Sequence, residues 1–215
     1  MLVMIDLDNT LVDRAGAVRA WADEFVAEHG LADDALARIV ELDADGYSDR
    51  RRVFGALRTS FGLTPSVDEL LAAYRSRVVE LTEPADGATA CLASMRARGW
   101  SVVIVTNGSS GQQHAKVDST GLRDLVDAVV VSGDHGIEKP DRRIFELAAE
   151  RVSAHVAGAW MIGDSPENDV VGPARFDMRT VWVDRGRAWA HPDVRPDLVV
   201  GTLVGLADRL ASVEG

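Results

Sequence analysis

The sequence predicts an α/β protein with a doubly wound parallel sheet, into which a small all-helical subdomain is inserted. Short, uninterrupted apolar runs recur along the chain, as is typical of strands buried on both faces of a parallel sheet. From the second run onward, helical patterns fill most of the gaps, which indicates crossover connections. The gap between the first two runs is too long for one crossover. The six predicted strands are residues 2–7, 101–106, 128–131, 159–162, 180–183 and 198–200.

The helices of the sheet domain carry signals at their ends. The segment 89–98 is followed by Gly99, and glycine commonly ends a helix. Pro140 is expected near the first position of a later helix, where a missing N–H does no harm. A final helix is predicted over about 203–211.

The long gap predicts an inserted helical subdomain over 14–82, so that 1–13 and 83–215 together form the sheet domain. Apolar residues recur at helical spacing within 18–26. The segment Ser66–Glu69 matches a capping box, a signature of a helix N-terminus, and apolar residues follow it.

Composition excludes several classes of protein. The chain of 215 residues has a net charge of −11, which argues against a nucleic-acid partner because phosphate backbones attract basic surfaces. A small phosphate ester needs only a local positive site and is not excluded. The single cysteine, Cys91, forms no internal disulfide and is expected in the core. The first residues do not resemble a signal peptide, and no run approaches the ~18 apolar residues of a membrane span. We therefore expect a cytoplasmic protein without a membrane partner.

Polar residues follow the predicted strands at the edge where ligands bind in open parallel sheets. Asp6 and Asp8 lie two residues apart at the end of the first strand, and in extended geometry both would point to one face. Two such carboxylates repel each other and raise each other's pKa unless a cation lies between them. The alternative is a solvated strand end.

The second strand and a later turn carry groups suited to a phosphate. Thr106 ends the second strand, and Asn107 and Gly108 follow it. A hydroxyl and exposed backbone N–H groups at such a turn can hold a phosphate, although an ordinary glycine turn has the same pattern. Lys139 precedes Pro140 at a predicted helix start, where it is either a point charge for a phosphoryl oxygen or a surface lysine.

The fourth strand is followed by Asp164 and Asp169. Hard cations such as Mg²⁺ take oxygen ligands, usually one or two carboxylates with water and phosphate. The alternative is a helix N-terminus, which Asp164 or Ser165 would cap ahead of Pro166.

The order and spacing of these residues resemble the haloacid dehalogenase-like hydrolase superfamily along the whole chain. The insert is similar to the helical cap of the superfamily's first cap class. Within the superfamily, residues 6–17 and 128–186 look most like N-acylneuraminate-9-phosphatases and related sugar-phosphate or nucleotide phosphatases. The four motifs that carry the resemblance are Asp6–Thr10, Thr106–Gly108, Lys139 with Pro140, and Gly163–Asp164 with Asp169.

The resemblance implies a Rossmann-like core and a Mg²⁺-dependent phosphatase that hydrolyses a small phosphate monoester through an aspartyl-phosphate. It implies that Asp6 is the nucleophile and Asp8 the general acid and base. It also implies that Thr106, Asn107 and Lys139 bind the phosphate, with Thr106 and Lys139 acting in catalysis. The implied Mg²⁺ ligands are Asp6, Asp8 through its backbone carbonyl, and Asp164, with Asp169 supporting the metal site directly or through water.

Single positions of the sequence bear on the other activities found in similar proteins. Haloacid dehalogenases lack an acid/base aspartate at the place of Asp8, and phosphonoacetaldehyde hydrolases use a cap lysine, which 14–82 does not contain. Both activities are therefore disfavoured. A phosphomutase keeps both aspartates and stays open. A phospho-aspartate signalling switch would have its acceptor after the third strand, but 131–133 contains no aspartate.

The motifs do not specify the substrate, which the cap is expected to select. The segment 45–47 with the arginines at 50–52 is a candidate for a substrate loop. A solvated charge run on a helix is the more common explanation of such a segment.

Overall fold

A computed structural model describes residues 1–32, 34–46 and 48–214. The chain divides into two compact units: a sheet unit of Met1–Asp13 with Pro84–Gly215, and a helical unit of Arg14–Glu83. Each unit has its own hydrophobic core. None of the helices in the described residues combines the length and apolar character needed to cross a membrane.

The described strands of the sheet unit form one fully parallel sheet in the order β3-β2-β1-β4-β5-β6. The chain runs outward from β1 to β3, then returns to the other side of β1 at β4. This reversal confirms the predicted doubly wound α/β class, and in such sheets ligands bind outside the carboxyl ends of the strands at the point of reversal, here β1 and β4. The strands are β1 (Leu2–Ile5), β2 (Ser101–Thr106), β3 (Ala128–Val131), β4 (Trp160–Gly163), β5 (Arg179–Val183) and β6 (Leu198–Val200).

In the described part of the helical unit, four α-helices pack around aromatic side chains. Trp21 packs against Phe25, Phe54 and Tyr74, with ring centroids 4.7 to 5.6 Å apart. The predicted capping box is confirmed, because Ser66 and Glu69 exchange side chain-to-backbone hydrogen bonds at the start of the last helix. The helices are α1 (Arg14–His29), α2 (Ala35–Asp43), α3 (Arg50–Phe61) and α4 (Val67–Leu81).

The remaining helices cover both faces of the sheet. Alternate residues of β1 face opposite layers: Val3 and Ile5 belong to one core cluster, and Leu2 and Met4 to the other. The first cluster is closed by α5 and α10, and the second by α8. The helices are α5 (Ala88–Ala97), α6 (Ser110–Ser119), α7 (Ser132–His135), α8 (Arg142–Glu150), α9 (Gly172–Ala174) and α10 (Leu206–Glu214).

Three local predictions are corrected by the structure. The first strand ends at Ile5 rather than residue 7, because the Leu7 carbonyl accepts hydrogen bonds from the backbone of Leu11 and Val12 and the chain turns. Pro140 lies outside α8, whose N-cap is Asp141. The final helix begins at 206 and not at 203.

The segment after β4 also differs from expectation. Residues Pro166–Val171 form one turn of π-helix, and the side chain of Ser165 accepts a hydrogen bond from the backbone N–H of Asn168 at 3.4 Å. The expected capping residue is thus present, on an unusual helix. Single π-helical turns are frequent at functional sites.

Candidate active site

Three buried carboxylates meet at the crevice formed by the ends of β1 and β4. Asp6 follows β1 directly, Asp164 follows β4, and Asp169 lies in the π-helical turn. One carboxylate oxygen from each lies within 4.8 Å of the others. Sequence-distant aspartates are therefore brought together as the motif order predicts.

Asp169 is fixed by the backbone around it. The N–H of Ser165 donates to Asp169 Oδ2 at 3.0 Å. A Cβ on Gly163 would lie only 2.2 Å from Asp169 Oδ2, so the carboxylate occupies the space that any other residue at 163 would fill. The last position of β4 is therefore restricted to glycine by the acidic cluster beside it.

Lys139 reaches into the same cluster. Its Nζ donates to Asp6 Oδ1 at 2.6 Å and to Asp169 Oδ1 at 2.8 Å, and its side chain is 2% exposed. Asn107 holds the Lys139 backbone by two bonds, accepting from its N–H at 2.8 Å and donating to its carbonyl at 2.9 Å. The side chain of Asn107 thus positions the lysine.

The cluster shifts the protonation of its members. Burial raises the pKa of Asp6 to about 8, with Lys139 opposing the rise and the neighbouring carboxylates reinforcing it. Burial and Asp169 raise the pKa of Asp164 to about 6. Burial lowers the pKa of Lys139, but Asp169 and Asp6 raise it by more, so the lysine stays charged.

Two arginines that follow β5 also contact Asp164. Arg185 and Arg187 each donate to Asp164 Oδ2 at 3.1 Å, and Arg187 donates to the Asp164 carbonyl at 2.7 Å. The indole N–H of Trp182 reaches the same carbonyl at 3.0 Å. None of the four motifs contains these residues, although the two arginines closely follow the end of a strand, as the residues of the motifs do.

Asp8 lies in a second polar network. Lys116 Nζ donates to both Asp8 carboxylate oxygens, at 2.6 and 2.8 Å, and Gln113 Nε2 donates to one of them at 3.1 Å. The same Gln113 nitrogen donates to Thr106 Oγ1 at 2.7 Å. Asp8 and Thr106 are thereby joined through α6, and Gln113 and Lys116 are further residues that the motifs did not reveal. One signal was available: Lys116 and Lys139 are the only lysines in the sequence.

The candidate substrate loop belongs to the helical unit. Tyr47 lies outside the described residues. Arg50 is bound to Asp43, which Arg14 also contacts at 2.7 Å. Of the arginines at 50–52, Arg50 therefore belongs to a partly buried ion-pair network. Arg50 is partly buried, with 21% of its side chain exposed, whereas Arg51 and Arg52 are exposed at the start of α3, as in a solvated charge run.

The acidic cluster suits a divalent metal. The candidate ligand set of Asp6, Asp164 and Asp169 offers only carboxylate oxygens, which hard cations prefer. Burial is the main cause of the raised pKa of Asp6 and Asp164, the neighbouring carboxylates reinforce it, and a cation between them would favour their ionised forms. The residues present therefore fit a small hard cation.

Comparison with known proteins agrees with this architecture. A family model described as haloacid dehalogenase-like hydrolase matches residues 1–177. The phosphoserine phosphatase of Thermus thermophilus is 39% identical over 167 residues, which cover 75% of this chain and 66% of that protein. The glyceraldehyde 3-phosphate phosphatase of Pyrococcus abyssi is 29% identical, with 99% of this chain and 93% of that protein covered.

A solved structure shows the same fold over nearly the full chain. The HAD-hydrolase YfnB from Bacillus subtilis, solved bound to magnesium, superposes with a TM-score of 0.81 at 25% identity and covers 97% of each chain. The family match spans the three aspartates, Lys139 and the Asp8 network. With its fold, its strand-end residues and this match in agreement, the chain belongs to the haloacid dehalogenase-like hydrolases.

Proposed function

We propose that the protein is a Mg²⁺-dependent phosphatase that hydrolyses a small phosphate monoester through an aspartyl-phosphate on Asp6. One observation supports this most strongly: Asp6 and Asp8 are separated into two networks, each with its own buried lysine. Asp6 lies in the acidic cluster with Lys139, whereas Asp8 is paired with Lys116. Two carboxylates in different environments can take different roles, one as nucleophile and one as proton carrier.

The proposed reaction has two steps. The Asp6 carboxylate attacks phosphorus as the bond to the leaving-group oxygen breaks, and Asp8 protonates that oxygen. Asp8, now a carboxylate, then takes a proton from water as the water oxygen bonds to phosphorus and the Asp6–phosphorus bond breaks. Lys139 and the Thr106 hydroxyl stabilise the phosphoryl oxygens, because phosphoryl transfer depends mainly on positioning and charge neutralisation.

Asp6, Asp164, Asp169 and the backbone carbonyl of Asp8 are the proposed Mg²⁺ ligands. The cation would supply charge neutralisation between the carboxylates and the phosphate. Because Lys139 contacts both Asp6 and Asp169, it can balance part of the carboxylate charge.

The proposed substrate is a small phosphorylated metabolite, such as a sugar phosphate or a nucleotide. The relatives above are named for phosphoserine and glyceraldehyde 3-phosphate, which are both small phosphate monoesters. Residues 14–82, which lie within the helical unit, are proposed to be the cap that selects among such substrates.

Phosphate release should require a divalent metal. We expect the purified protein to release phosphate from an aryl phosphate and from members of a panel of phosphorylated metabolites when Mg²⁺ is present. Exhaustive chelation should abolish release, and Mg²⁺ added in excess of the chelator should restore it. Activity that survives chelation would contradict the metal assignment, and a panel without any hydrolysed member would contradict the phosphatase.

Metal affinity should rise with pH. Binding requires ionised carboxylates, whereas burial holds the pKa of Asp6 near 8 and that of Asp164 near 6 in the metal-free protein. Displacement of one proton implies that Mg²⁺ affinity increases about tenfold per pH unit between pH 6 and 8 and levels off above 8. Titration calorimetry at several pH values measures this slope.

The same pKa values fix the pH dependence of stability. Because these carboxyl groups have a higher pKa when folded than when unfolded, they favour folding most at low pH, and this contribution is lost as pH rises through 6 and 8. Because Mg²⁺ is expected to bind more tightly once these carboxyl groups are ionised, the increase in melting temperature that it causes should be larger at pH 8 than at pH 6. An affinity independent of pH across this window would show that the cluster is already ionised.

A further inference from the structure

Lys116 and Gln113 are buried polar residues to which the proposed reaction assigns no role. Lys116 is 3% exposed and Gln113 is 2% exposed. They lie three residues apart on α6, and therefore on the same face of the helix. An ammonium group is costly to bury unless it is paired and hydrogen-bonded, so the surroundings of Lys116 indicate what the site needs.

The partners of this pair are residues of the proposed reaction. Lys116 contacts both carboxylate oxygens of Asp8 and also donates to Gln113 Oε1 at 3.0 Å. Contacts to both oxygens restrain the orientation of a carboxylate more than a contact to one would. Asp8 itself is not deeply buried, with 24% of its side chain exposed, so the bonds from Lys116 and Gln113 contribute to holding its carboxylate in place.

Gln113 extends the network to Thr106. Its Nε2 donates to Thr106 Oγ1 at 2.7 Å, so the hydroxyl oxygen acts as an acceptor there and its proton is directed elsewhere. Within the described residues, the acceptor for that proton is the Asn107 carbonyl at 3.5 Å, a long contact. The amide of Gln113 therefore orients the hydroxyl as a donor, which is the role proposed for Thr106 toward a phosphoryl oxygen.

The backbone makes room for Gln113. Gly108 has a φ of +146°, and a Cβ at this position would lie 2.9 Å from two side-chain carbons of Gln113. Glycine at position 108 therefore leaves the space that the Gln113 side chain occupies, in addition to allowing the backbone to turn after β2.

We infer that Lys116 and Gln113 are positioning residues, which hold the Asp8 carboxylate for proton transfer and couple it to the phosphate-binding hydroxyl of Thr106. This inference rests on the proposed function, because it assumes that Asp8 moves protons. Lys116 also balances the negative charge that Asp8 carries after it has protonated the leaving group. Neither residue is proposed to contact phosphorus or to gain or lose a proton in the reaction, and both act through Asp8 and Thr106.

Lys116→Met tests the inference because it removes the charge and keeps the length of the side chain. We expect kcat to fall roughly 100-fold, the loss typical of a displaced catalytic group, with little change in KM. With an aryl phosphate that has a good leaving group, the first step depends less on an acid. The phosphorylated fraction of the enzyme, measured after acid quench, should therefore rise above that of the wild type.

Matched variants separate positioning from folding. Lys116→Arg should retain more activity than Lys116→Met, and Gln113→Leu should raise the phosphorylated fraction in the same direction. Gln112→Leu, on the adjacent and partly exposed position of α6, is the control and should leave both quantities unchanged. If Lys116→Met does not fold, Lys116→Arg and Gln113→Leu carry the same comparison.

A double-mutant cycle with Asp8 completes the test. In an Asp8→Asn background, Lys116→Met should change kcat by less than about threefold, because residues that act through one another are not additive. Independent losses, or an unchanged phosphorylated fraction in Lys116→Met, would overturn the inference. Both outcomes differ from failure of the proposed function, in which the wild type would form no phosphoenzyme on Asp6.

Discussion

Replacement of Asp6 by asparagine is expected to abolish turnover, with a loss on the order of 10⁴-fold or more, because the nucleophile is removed. Asparagine has nearly the same size as aspartate, and Lys139 keeps Asp169 as an ion-pair partner, so the variant should fold. The substitution also removes one carboxylate from the candidate metal site. Steady-state phosphate release, with a melting temperature as the check on folding, measures the effect.

The identity of the nucleophile is tested separately by labelling. Phosphate trapped by acid quench, or the inert mimic beryllium fluoride, should be found on Asp6 of the wild type. Asp118→Asn, an exposed change on α6, is the control and should be labelled like the wild type. A covalent phosphate mapped to any residue other than Asp6 would contradict the assignment.

Replacement of Asp8 by asparagine should slow turnover by about 10²- to 10⁴-fold, the range for positioned proton transfer. Metal affinity should change little, because Asp8 is proposed to bind the metal through its backbone carbonyl. With nitrophenyl phosphate, the first step needs little acid assistance and the second still lacks its base. The aspartyl-phosphate should therefore accumulate in the variant, which rapid quench and calorimetric metal titration can establish.

The same residue separates the phosphatase from its two alternatives. A phosphomutase would return the phosphoryl group to sugar, giving an isomer and little free phosphate. A signalling switch would hold its phosphoryl group for minutes, and Asp8→Asn would change the decay by less than about twofold. Stoichiometric phosphate release from a sugar phosphate, without an isomer, is the result expected of the wild type.

The strands were predictable because burial on both faces leaves an unambiguous apolar signal. β2, β3 and β6 begin and end at the predicted residues. The first strand was predicted too long, since Leu7 is as apolar as the strand before it. Only the hydrogen bonds to its carbonyl, which sequence does not reveal, end the strand at Ile5.

The acidic cluster was predictable from order and spacing, because parallel strands deliver their carboxyl ends to one edge. The contacts that residues outside the motifs make with the site were not predictable from the sequence. Gln113 and Lys116 follow β2 by more than one helical turn, and their contact with Asp8 depends on the rotation of α6 about its axis. Arg185 reaches Asp164 from a left-handed backbone conformation at φ +51°, which is uncommon outside glycine and asparagine.

The central place of β1 has a consequence for synthesis on the ribosome. β1 is made first, yet one of its two neighbours, β4, begins only at residue 160. At about 5–20 residues per second, β4 follows β1 by roughly 8–30 s. During that time the helical unit, a continuous segment with its own core, can fold from contacts within itself. The nascent chain should thus acquire its inserted domain before the host domain that encloses it in sequence.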